Sequence, residues 1–259
     1  MQNKKYELLK DEFVTLPDGE KVFRIQALVP FADVEAGEKG GYIQKEENLS
    51  QDGNAWVSDD ARVYGNAQVS GDARVYGDAW VSDDARVYGN ARVYGDAWVY
   101  GDARVSVNAR VYSNAWVYGN ARVYGNAQVS GDAQVYGNAR VYGNARVYGD
   151  AWVYGDAWVS GNAWVSDDAW VSGNARVYGD AWVYSNARVE DKVINLMFKE
   201  YSVTILKEYI AIGCQTHTYE EWKNFKDCDI APMDGPNGIQ WWHKYRDVIL
   251  KTWENNFAR

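Results

Sequence analysis

The chain has little cysteine, little histidine and no excess of basic residues. Of its 259 residues, two are cysteines and two are histidines. Two thiols in a chain of this length do not describe a disulfide framework, so we expect a reducing compartment, the cytoplasm. The formal net charge of −9 argues against a nucleic-acid-binding surface, because phosphate contacts need clustered Lys and Arg. We therefore expect no direct binding of nucleic acid.

Long apolar runs are missing as well. The first ten residues, from Met1 to Lys10, contain no sustained apolar stretch, so we expect no signal peptide. No window elsewhere approaches the length of a membrane span. The sequence therefore predicts no membrane association.

The chain instead carries one six-residue phrase, repeated 23 times without insertion or deletion from Gly53 to Glu190. The phrase reads mostly Gly-Asn/Asp-Ala-X-Val-Tyr/Ser, in which X is only Arg, Trp or Gln. Ala and Val are two residues apart, so they point to one side of a strand while X and Tyr/Ser point to the other. Gly, Asn and Asp tolerate positive φ and allow a corner in every phrase. The pattern predicts a solenoid with a core of Ala and Val.

This phrase resembles the hexapeptide repeat of left-handed parallel β-helices, and the likeness covers more than half of the chain. It implies an all-β solenoid, a left-handed parallel β-helix with three hexads in each triangular coil. The left hand is what the resemblance implies, since parallel crossovers are usually right-handed. The segments 23–28, 40–43 and 47–50 resemble the openings of phage- and prophage-encoded hexapeptide proteins, which implies the cytoplasm of a host cell.

The two ends of the chain are not repetitive. We predict a small N-terminal β cap over residues 1–40, the β-helix over 41–190, and a C-terminal α+β region over 191–259 that caps the solenoid or joins subunits. In the cap, the alternation from Phe23 to Val29 predicts a strand that Pro30 ends. Ile43 and Leu49 stand in the register that Ala takes later, which predicts larger plugs at the first coil.

The C-terminal region predicts strands followed by helices. Residues 193–198, 201–206 and 209–212 are typical of strands. Thr218 and Glu221 have the spacing of a capping box, which predicts a helix start. The glycines and proline between Asp234 and Gly238 predict a loop, and the apolar stripe after it predicts a further helix.

A period of 18 residues sorts the outward positions into three faces. The first and third faces carry mostly Arg, for which we expect cation–π contacts with Tyr in the neighbouring rows. The second face gathers five tryptophans and a row of tyrosines: Trp80, Trp98, Trp116, Trp152 and Trp170, with Tyr100, Tyr118, Tyr136 and Tyr154. We call these nine residues the aromatic face. The corner before it, here the Asp corner, is Asp60, Asp78, Asp96, Asn114, Asp132, Asp150, Asp168 and Asn186.

Aromatic ladders can simply stabilise strand pairing, but an exposed aromatic patch of this size usually marks an interface. We therefore predict a non-enzymatic interaction or scaffold protein that binds a protein partner, or a second copy of itself, through the aromatic face and Asp78, Asp96, Asp132 and Asp150. A dimer is favoured over a trimer, and a host defence factor is one candidate partner. Alternatives are a carbohydrate or flat-ring ligand stacked on Trp, and an acidic mimic of the DNA backbone. The Asp corner itself is a solvated edge or a row of Ca²⁺ ligands.

Some hexapeptide β-helices are acyltransferases, which the resemblance implies act as trimers with a catalytic His near a coil interface. The repeats from Gly53 to Glu190 contain no His and no interrupting loop, so no general base is available there. We predict that the chain is not an enzyme and has no catalytic residues. An acyltransferase with an inter-subunit site is the alternative.

All Cys and His residues lie in the C-terminal region: Cys214, His217, Cys228 and His243. Two Cys and two His can complete a tetrahedral zinc site, but these spacings match no common zinc finger. We predict ordinary packing, with Cys214 as a small buried residue, and neither a metal nor a cofactor.

Overall fold

The computed structural model describes residues 4–184, 187–190 and 193–258. These residues form a parallel β-solenoid of about eight coils, with an N-terminal hairpin at one end and a small C-terminal appendage of sheet and helix at the other. The predicted solenoid fold with two non-repetitive ends is confirmed.

Each repeat contributes one two-residue strand made of its X residue and its Val. In chain order, β4 to β26 are Trp56–Val57, Arg62–Val63, Gln68–Val69, Arg74–Val75, Trp80–Val81, Arg86–Val87, Arg92–Val93, Trp98–Val99, Arg104–Val105, Arg110–Val111, Trp116–Val117, Arg122–Val123, Gln128–Val129, Gln134–Val135, Arg140–Val141, Arg146–Val147, Trp152–Val153, Trp158–Val159, Trp164–Val165, Trp170–Val171, Arg176–Val177, Trp182–Val183 and Arg188–Val189.

Every third strand pairs in parallel, so residues 18 apart become neighbours. Trp98, for example, is in register with Trp80 on one side and with Trp116 on the other. Three sheets of 8, 11 and 7 strands result, and they are the first, second and third faces. The period that sorts the sequence into faces is therefore the pairing period of the sheets.

The core of the solenoid consists of the inward Ala and Val side chains. From Ala55 to Val183 each of them is at most 1% exposed, and Ala187 and Val189 are 4% and 3% exposed. No larger side chain is needed inside, because the coil is narrow enough for these two residues to fill it. The X residues and the Tyr/Ser residues all point outward.

The N-terminal segment extends the second sheet. Strands β1 (Tyr6–Thr15), β2 (Lys21–Ala27) and β3 (Lys39–Ile43) pair antiparallel, and β3 pairs in parallel with β5. A 3-10 helix follows at Glu46–Asn48. The predicted strand ends at Ala27 instead of Val29, because the chain turns there and Phe31 bridges to Val34.

The first coil is two residues longer than the others. Ile43 pairs with Val63, and Leu49 forms a bridge with Val69, each 20 residues away instead of 18. The prediction that Ile43 and Leu49 take the Ala register is therefore wrong: both occupy the Val register. Their larger side chains still plug the first coil, since both are at most 1% exposed.

At the N-terminal end of the solenoid, no preceding coil donates hydrogen bonds to the backbone carbonyl groups of the first coil. Two side chains donate to them instead. The Lys5 ammonium group donates to the carbonyl oxygen of Ala55 at 2.9 Å and to that of Gly53 at 3.3 Å. The Asn48 amide donates to the carbonyl oxygen of Ala67 at 2.9 Å. Buried backbone groups need such partners, so these donors close the open edges of the first and third sheets.

The C-terminal end has the opposite need, because its last N–H groups have no following coil. The Trp182 N–H donates to the Thr204 hydroxyl at 3.2 Å, and the Tyr184 N–H donates to the Tyr209 hydroxyl at 3.4 Å. Burial raises the pKa of Tyr209 above its ordinary value, so the hydroxyl stays neutral. The appendage thus supplies acceptors where the N-terminal cap supplies donors.

The appendage is an antiparallel sheet covered by helices. Its strands are β27 (Ile194–Met197), β28 (Ser202–Ile205), β29 (Ile210–Ile212) and β30 (Gln215–His217), followed by α1 (Tyr219–Asn224) and α2 (Asp227–Phe257). The three predicted strands are confirmed. So is the capping box, since the Glu221 N–H donates to the Thr218 hydroxyl and the Thr218 N–H donates to the Glu221 carboxylate at 2.8 Å.

The predicted loop from Asp234 to Gly238 is confirmed only as a break at its first two residues. Helix α2 runs through it with a kink, where Asp234 has φ −153° and Gly235 has φ 57° and ψ −151°. Glycine alone adopts that second conformation readily. Pro236 then lies in the first turn after the kink, where its missing N–H costs no helical hydrogen bond.

Candidate interaction surface

The structure brings the tryptophans of the aromatic face into one column. Trp80, Trp98 and Trp116 stack with ring centroids 4.9 and 5.5 Å apart, and Trp152 and Trp170 stack at 5.2 Å. The spacing follows from the strand separation of a β-sheet. All five predicted tryptophans therefore lie on one sheet.

The tyrosines of the aromatic face form the neighbouring row. Tyr100, Tyr118, Tyr136 and Tyr154 stack in succession at 4.9, 4.8 and 5.0 Å. Tyr100 also meets Trp116 edge to face at 6.4 Å. Burial raises the pKa of Tyr100, Tyr118 and Tyr136 above the ordinary value. Both rows are fixed by ring contacts within the sheet and by contacts between the rows.

Other residues with planar end groups occupy the tryptophan column at both of its ends and at the one position between Trp116 and Trp152 that lacks a ring. The guanidinium of Arg62 lies 4.8 Å from the ring centroid of Trp80, and that of Arg188 lies 4.8 Å from the Trp170 ring. Gln134 is in register between Trp116 and Trp152. Arg, Trp and Gln, the residues found at the X positions, all end in a flat group, which suits them to stacking between coils.

The predicted cation–π contacts between Arg and Tyr of neighbouring rows are wrong for the described repeats. Within the solenoid the cations lie on tryptophans of their own column, as Arg146 does on Trp164 at 5.0 Å. The cause is geometric, because side chains one coil apart in the same column are closer than those in neighbouring rows. Arg24 and Tyr42, which continue the second sheet into the cap, make the one Arg–Tyr contact of this kind in the described chain.

The stacking hides much of the tryptophan column from solvent. Trp80, Trp98, Trp152 and Trp170 are half-buried, whereas Trp116 is 39% exposed. Trp116 is the last ring of its stack, since Gln134 follows it in the next coil. The aromatic face thus offers ring edges along its length and one more open ring near its middle.

The predicted acidic residues Asp78, Asp96, Asp132 and Asp150 are all exposed along one edge of the aromatic face. Asn114 interrupts them and donates its amide to the Asp132 carboxylate at 2.8 Å. Asn186, also assigned to this corner, lies outside the described residues. Within the described ranges, no three His, Cys, Asp or Glu residues are grouped so that they could hold a metal ion.

The Cys and His residues of the appendage have separate surroundings. His243 Nε2 lies 2.7 Å from an oxygen of Asp227, whereas the His217 ring packs edge-on against Trp222 at 5.1 Å. Cys214 and Cys228 are exposed. The prediction of a buried Cys214 is wrong because the residue lies in the turn between β29 and β30. The structure therefore does not bring the four candidate zinc ligands together.

The tyrosine row of the third face has an interruption, which the prediction of a mostly arginine surface does not include. Ser106 lies there between Tyr88 and Tyr124, in a row where each coil contributes Tyr or Ser. Sorting that row with the same 18-residue period would have revealed the gap.

The fold and its outward columns define a β-solenoid repeat protein. Its repeats match the family model described as YdcK Beta solenoid repeat, over residues 67–83, 85–101, 115–131, 133–149, 139–155, 145–161 and 169–185. None of the curated proteins compared with the chain matches it. In the part of the chain that the structure describes, no helix is both long and apolar enough to cross a membrane.

Proposed function

We propose that this protein is a non-enzymatic interaction or scaffold protein that associates with a second copy of itself through the aromatic face. One observation carries the proposal: nine aromatic side chains lie in two register-aligned rows on one flat sheet, with Trp116 39% exposed among them. Aromatic residues are enriched in protein interfaces, and rigid stacked rings lose little entropy on binding. The exposed Asp corner supplies a polar rim.

The resemblance of the N-terminal segments to phage-encoded repeat proteins extends the proposal. It supports a protein partner inside an infected cell, such as a host defence factor, which would use the same face. A left-handed coil is part of the proposal as well, on the resemblance of the repeats to hexapeptide β-helices. The flat sheet and its acidic rim suit either a second copy or such a partner, and self-association is the simpler case to test.

The test replaces three tryptophans of the aromatic face with Gln, as Trp98→Gln, Trp116→Gln and Trp152→Gln. Gln already stands in this column at Gln134, so the variant keeps a planar side chain in every coil. Light scattering of the purified wild type should give the mass of a dimer, and the triple variant should be monomeric. Far-UV circular dichroism should be unchanged.

A matched control places the same substitution on the other faces, as Trp158→Gln, Trp164→Gln and Trp182→Gln. This control should keep the wild-type mass, because its tryptophans lie outside the aromatic face. A wild-type chain that stays monomeric up to its solubility limit contradicts self-association. Equal loss of mass in both triple variants contradicts the assignment of the interface to the aromatic face.

A further inference from the structure

Four arginines lie in one column of the third face without interruption. Arg86 is in register with Arg104, Arg104 with Arg122, and Arg122 with Arg140. Like charges held in neighbouring coils repel one another. A protein with a net charge of −9 has many carboxylates that could offset this repulsion.

The corners beside the last three of these arginines supply one carboxylate, that of Asp102. The six corner residues that flank Arg104, Arg122 and Arg140 are Asp102, Asn120, Asn138, Asn108, Asn126 and Asn144. Asn108 donates its amide to Asn126, and Asn126 to Asn144, both at 3.0 Å. These amides therefore bond along the corner.

Two arginines near the N-terminal end of the molecule, by contrast, have carboxylate partners. Arg24 lies 3.8 Å from a carboxylate oxygen of Asp60, and Arg74 forms an ion pair with Asp33. Within the described chain, Arg104, Arg122 and Arg140 have no carboxylate oxygen within 4.0 Å. These three arginines therefore have no ion-pair partner in the described chain.

A gap in the neighbouring tyrosine row opens beside these arginines. Ser106 lies between Tyr88 and Tyr124, so no ring stacks on Tyr88, which is 39% exposed. Tyr124 stacks on Tyr142 at 5.0 Å. Two coil steps separate Tyr88 from Tyr124, which leaves a gap of about 10 Å between them.

The gap forms a notch of about 210 Å³. It is lined by Tyr88, Arg104, Ser106, Arg122, Tyr124 and Arg140, and we call it the basic notch. Its lining contains three guanidinium groups, three hydroxyl groups and no carboxylate. The Arg140 guanidinium is held 4.9 Å from the ring centroid of Trp158, so one wall of the notch is fixed in place.

We propose that the basic notch binds the consecutive phosphate groups of an oligophosphate. Guanidinium groups pair with phosphate through two parallel hydrogen bonds, and three of them follow one another here at the spacing of the coils. A phosphate group carries enough oxygens to accept hydrogen bonds from two neighbouring arginines, whereas a carboxylate can form a two-bond pair with only one guanidinium. The hydroxyls of Tyr88, Ser106 and Tyr124 are further donors. This site is independent of the aromatic face.

Isothermal titration calorimetry tests the proposal with two probes, inorganic tripolyphosphate and magnesium-free ATP. We expect saturable binding of at least one of them. Equal affinity for both assigns the site to the phosphates alone, and tighter binding of ATP assigns it to a nucleotide. Failure of both probes to bind, or equally tight binding of a hexaglutamate peptide, overturns the proposal.

The variant Arg104→Gln/Arg122→Gln removes two of the three guanidinium groups. Gln occupies the equivalent position at Gln68, Gln128 and Gln134, so the coil tolerates it. Loss of two charge-assisted contacts should weaken tripolyphosphate binding by about 100-fold. Unchanged affinity overturns the proposal.

The matched control is Arg92→Gln/Arg110→Gln on the first face. These arginines are also exposed and in register, but Tyr76, Tyr94 and Tyr112 stack beside them without a gap. We expect this control to change the affinity by less than about threefold. Equal weakening by the two double variants shows unspecific attraction to charge and overturns the site.

A third variant separates shape from charge. Ser106→Tyr completes the row between Tyr88 and Tyr124 and closes the notch, while every arginine remains. Tyr is the more common residue at this position of the repeat, so the fold accepts it. We expect a loss similar to that of the double arginine variant, and wild-type affinity overturns the proposal.

Discussion

At each described corner from Gly53 to Gly179, the first residue of the repeat adopts positive φ. Glycine usually fills this position, but Asp59, Asp83, Val107, Ser113 and Asp167 do so with φ between 55° and 64°. Val107 is the least suited of them, because a β-branched side chain is the most crowded in this conformation. Its side chain is 49% exposed, so packing offsets little of the cost.

We therefore expect Val107→Gly to stabilise the protein. Relief of the left-handed conformation is worth about 1–2 kcal/mol, and the greater freedom of glycine in the unfolded chain cancels about half of it. The midpoint of urea unfolding should rise. The reverse change, Gly131→Val, should lower it, because a Cβ atom there would lie 2.8 Å from the backbone nitrogen of Gly149. A lower midpoint for Val107→Gly would contradict this account.

Lys5 makes the stability of the N-terminal cap depend on pH. Burial, with the nearby charge of Arg74, lowers the pKa of Lys5 from 10.5 to about 8. Between these two values the unfolded chain holds a proton that the folded chain has released. The free energy of unfolding should therefore rise with pH in this window.

The prediction compares wild type with Lys5→Met between pH 8 and about 9.5, below the range in which most tyrosines ionise. The wild type should gain stability relative to the variant as the pH rises, because only the wild type has this titrating group. Urea midpoints at several pH values measure the difference. Parallel pH profiles for the two proteins would exclude a lowered pKa at Lys5.

Among the structural elements, the outward columns act as stacks of flat groups. The column of the second sheet runs from Arg62 through five tryptophans to Arg188, and Gln134 is its one member in the middle that lacks a ring. Neighbouring coils are therefore joined by side-chain stacking as well as by backbone hydrogen bonds.

We expect Gln134→Trp to merge the two tryptophan stacks into one of six rings. Each aromatic pair contributes about 0.5–1.5 kcal/mol beyond its buried area, so the unfolding free energy should rise by about 1 kcal/mol or more. Near-UV circular dichroism should show stronger coupling between the indoles. Gln134→Leu is the control, since it adds apolar area without a ring. Equal stabilisation by Leu would show that stacking is not the cause.

The elements that follow a regular residue pattern were predictable from the sequence. The turns and kinks that connect elements were not. The Ala and Val core, the three faces and the capping box at Thr218 each depend on residues at fixed spacing. The exposure of Cys214 depends on where the β29–β30 hairpin turns, and the helix through Gly235 depends on a kink that Gly and Pro also make possible in a loop. The aromatic face was predictable because its residues, like those of the core, recur at a fixed spacing. The basic notch was not, because it appears only when the Tyr and Ser residues of successive coils in one row are compared.

For the whole molecule, the 18-residue pairing step predicts which deletions preserve the surface. Removing residues 119–136 takes out one coil and brings Trp116 into register with Trp152. Removing residues 119–124 takes out less core but shifts every later X residue to another face, so that Trp116 faces Arg140. Both variants keep an intact Ala and Val interior.

We expect the six-residue deletion to lower the urea midpoint more than the 18-residue deletion does, although it removes fewer residues. The six-residue deletion breaks the columns at the junction, where Trp116 then faces Arg140, whereas the 18-residue deletion places Trp116 against Trp152 and keeps the columns in register. Small-angle scattering should show the longer deletion shortened by about 4.8 Å, one coil. A midpoint that simply follows the number of residues removed would contradict a contribution from the columns.

The uniform interior has a consequence for folding. Because every repeat places the same Ala and Val inward, a frame slip of six residues leaves the interior unchanged, and the landscape contains several minima of similar depth. Only the outer columns and the two non-repetitive ends distinguish the native register of the repeats from registers shifted by six residues. The capping residues therefore also define the register of the repeats; they are Lys5, Asn48, Thr204 and Tyr209. A chain that refolds without them should populate several forms that differ in register.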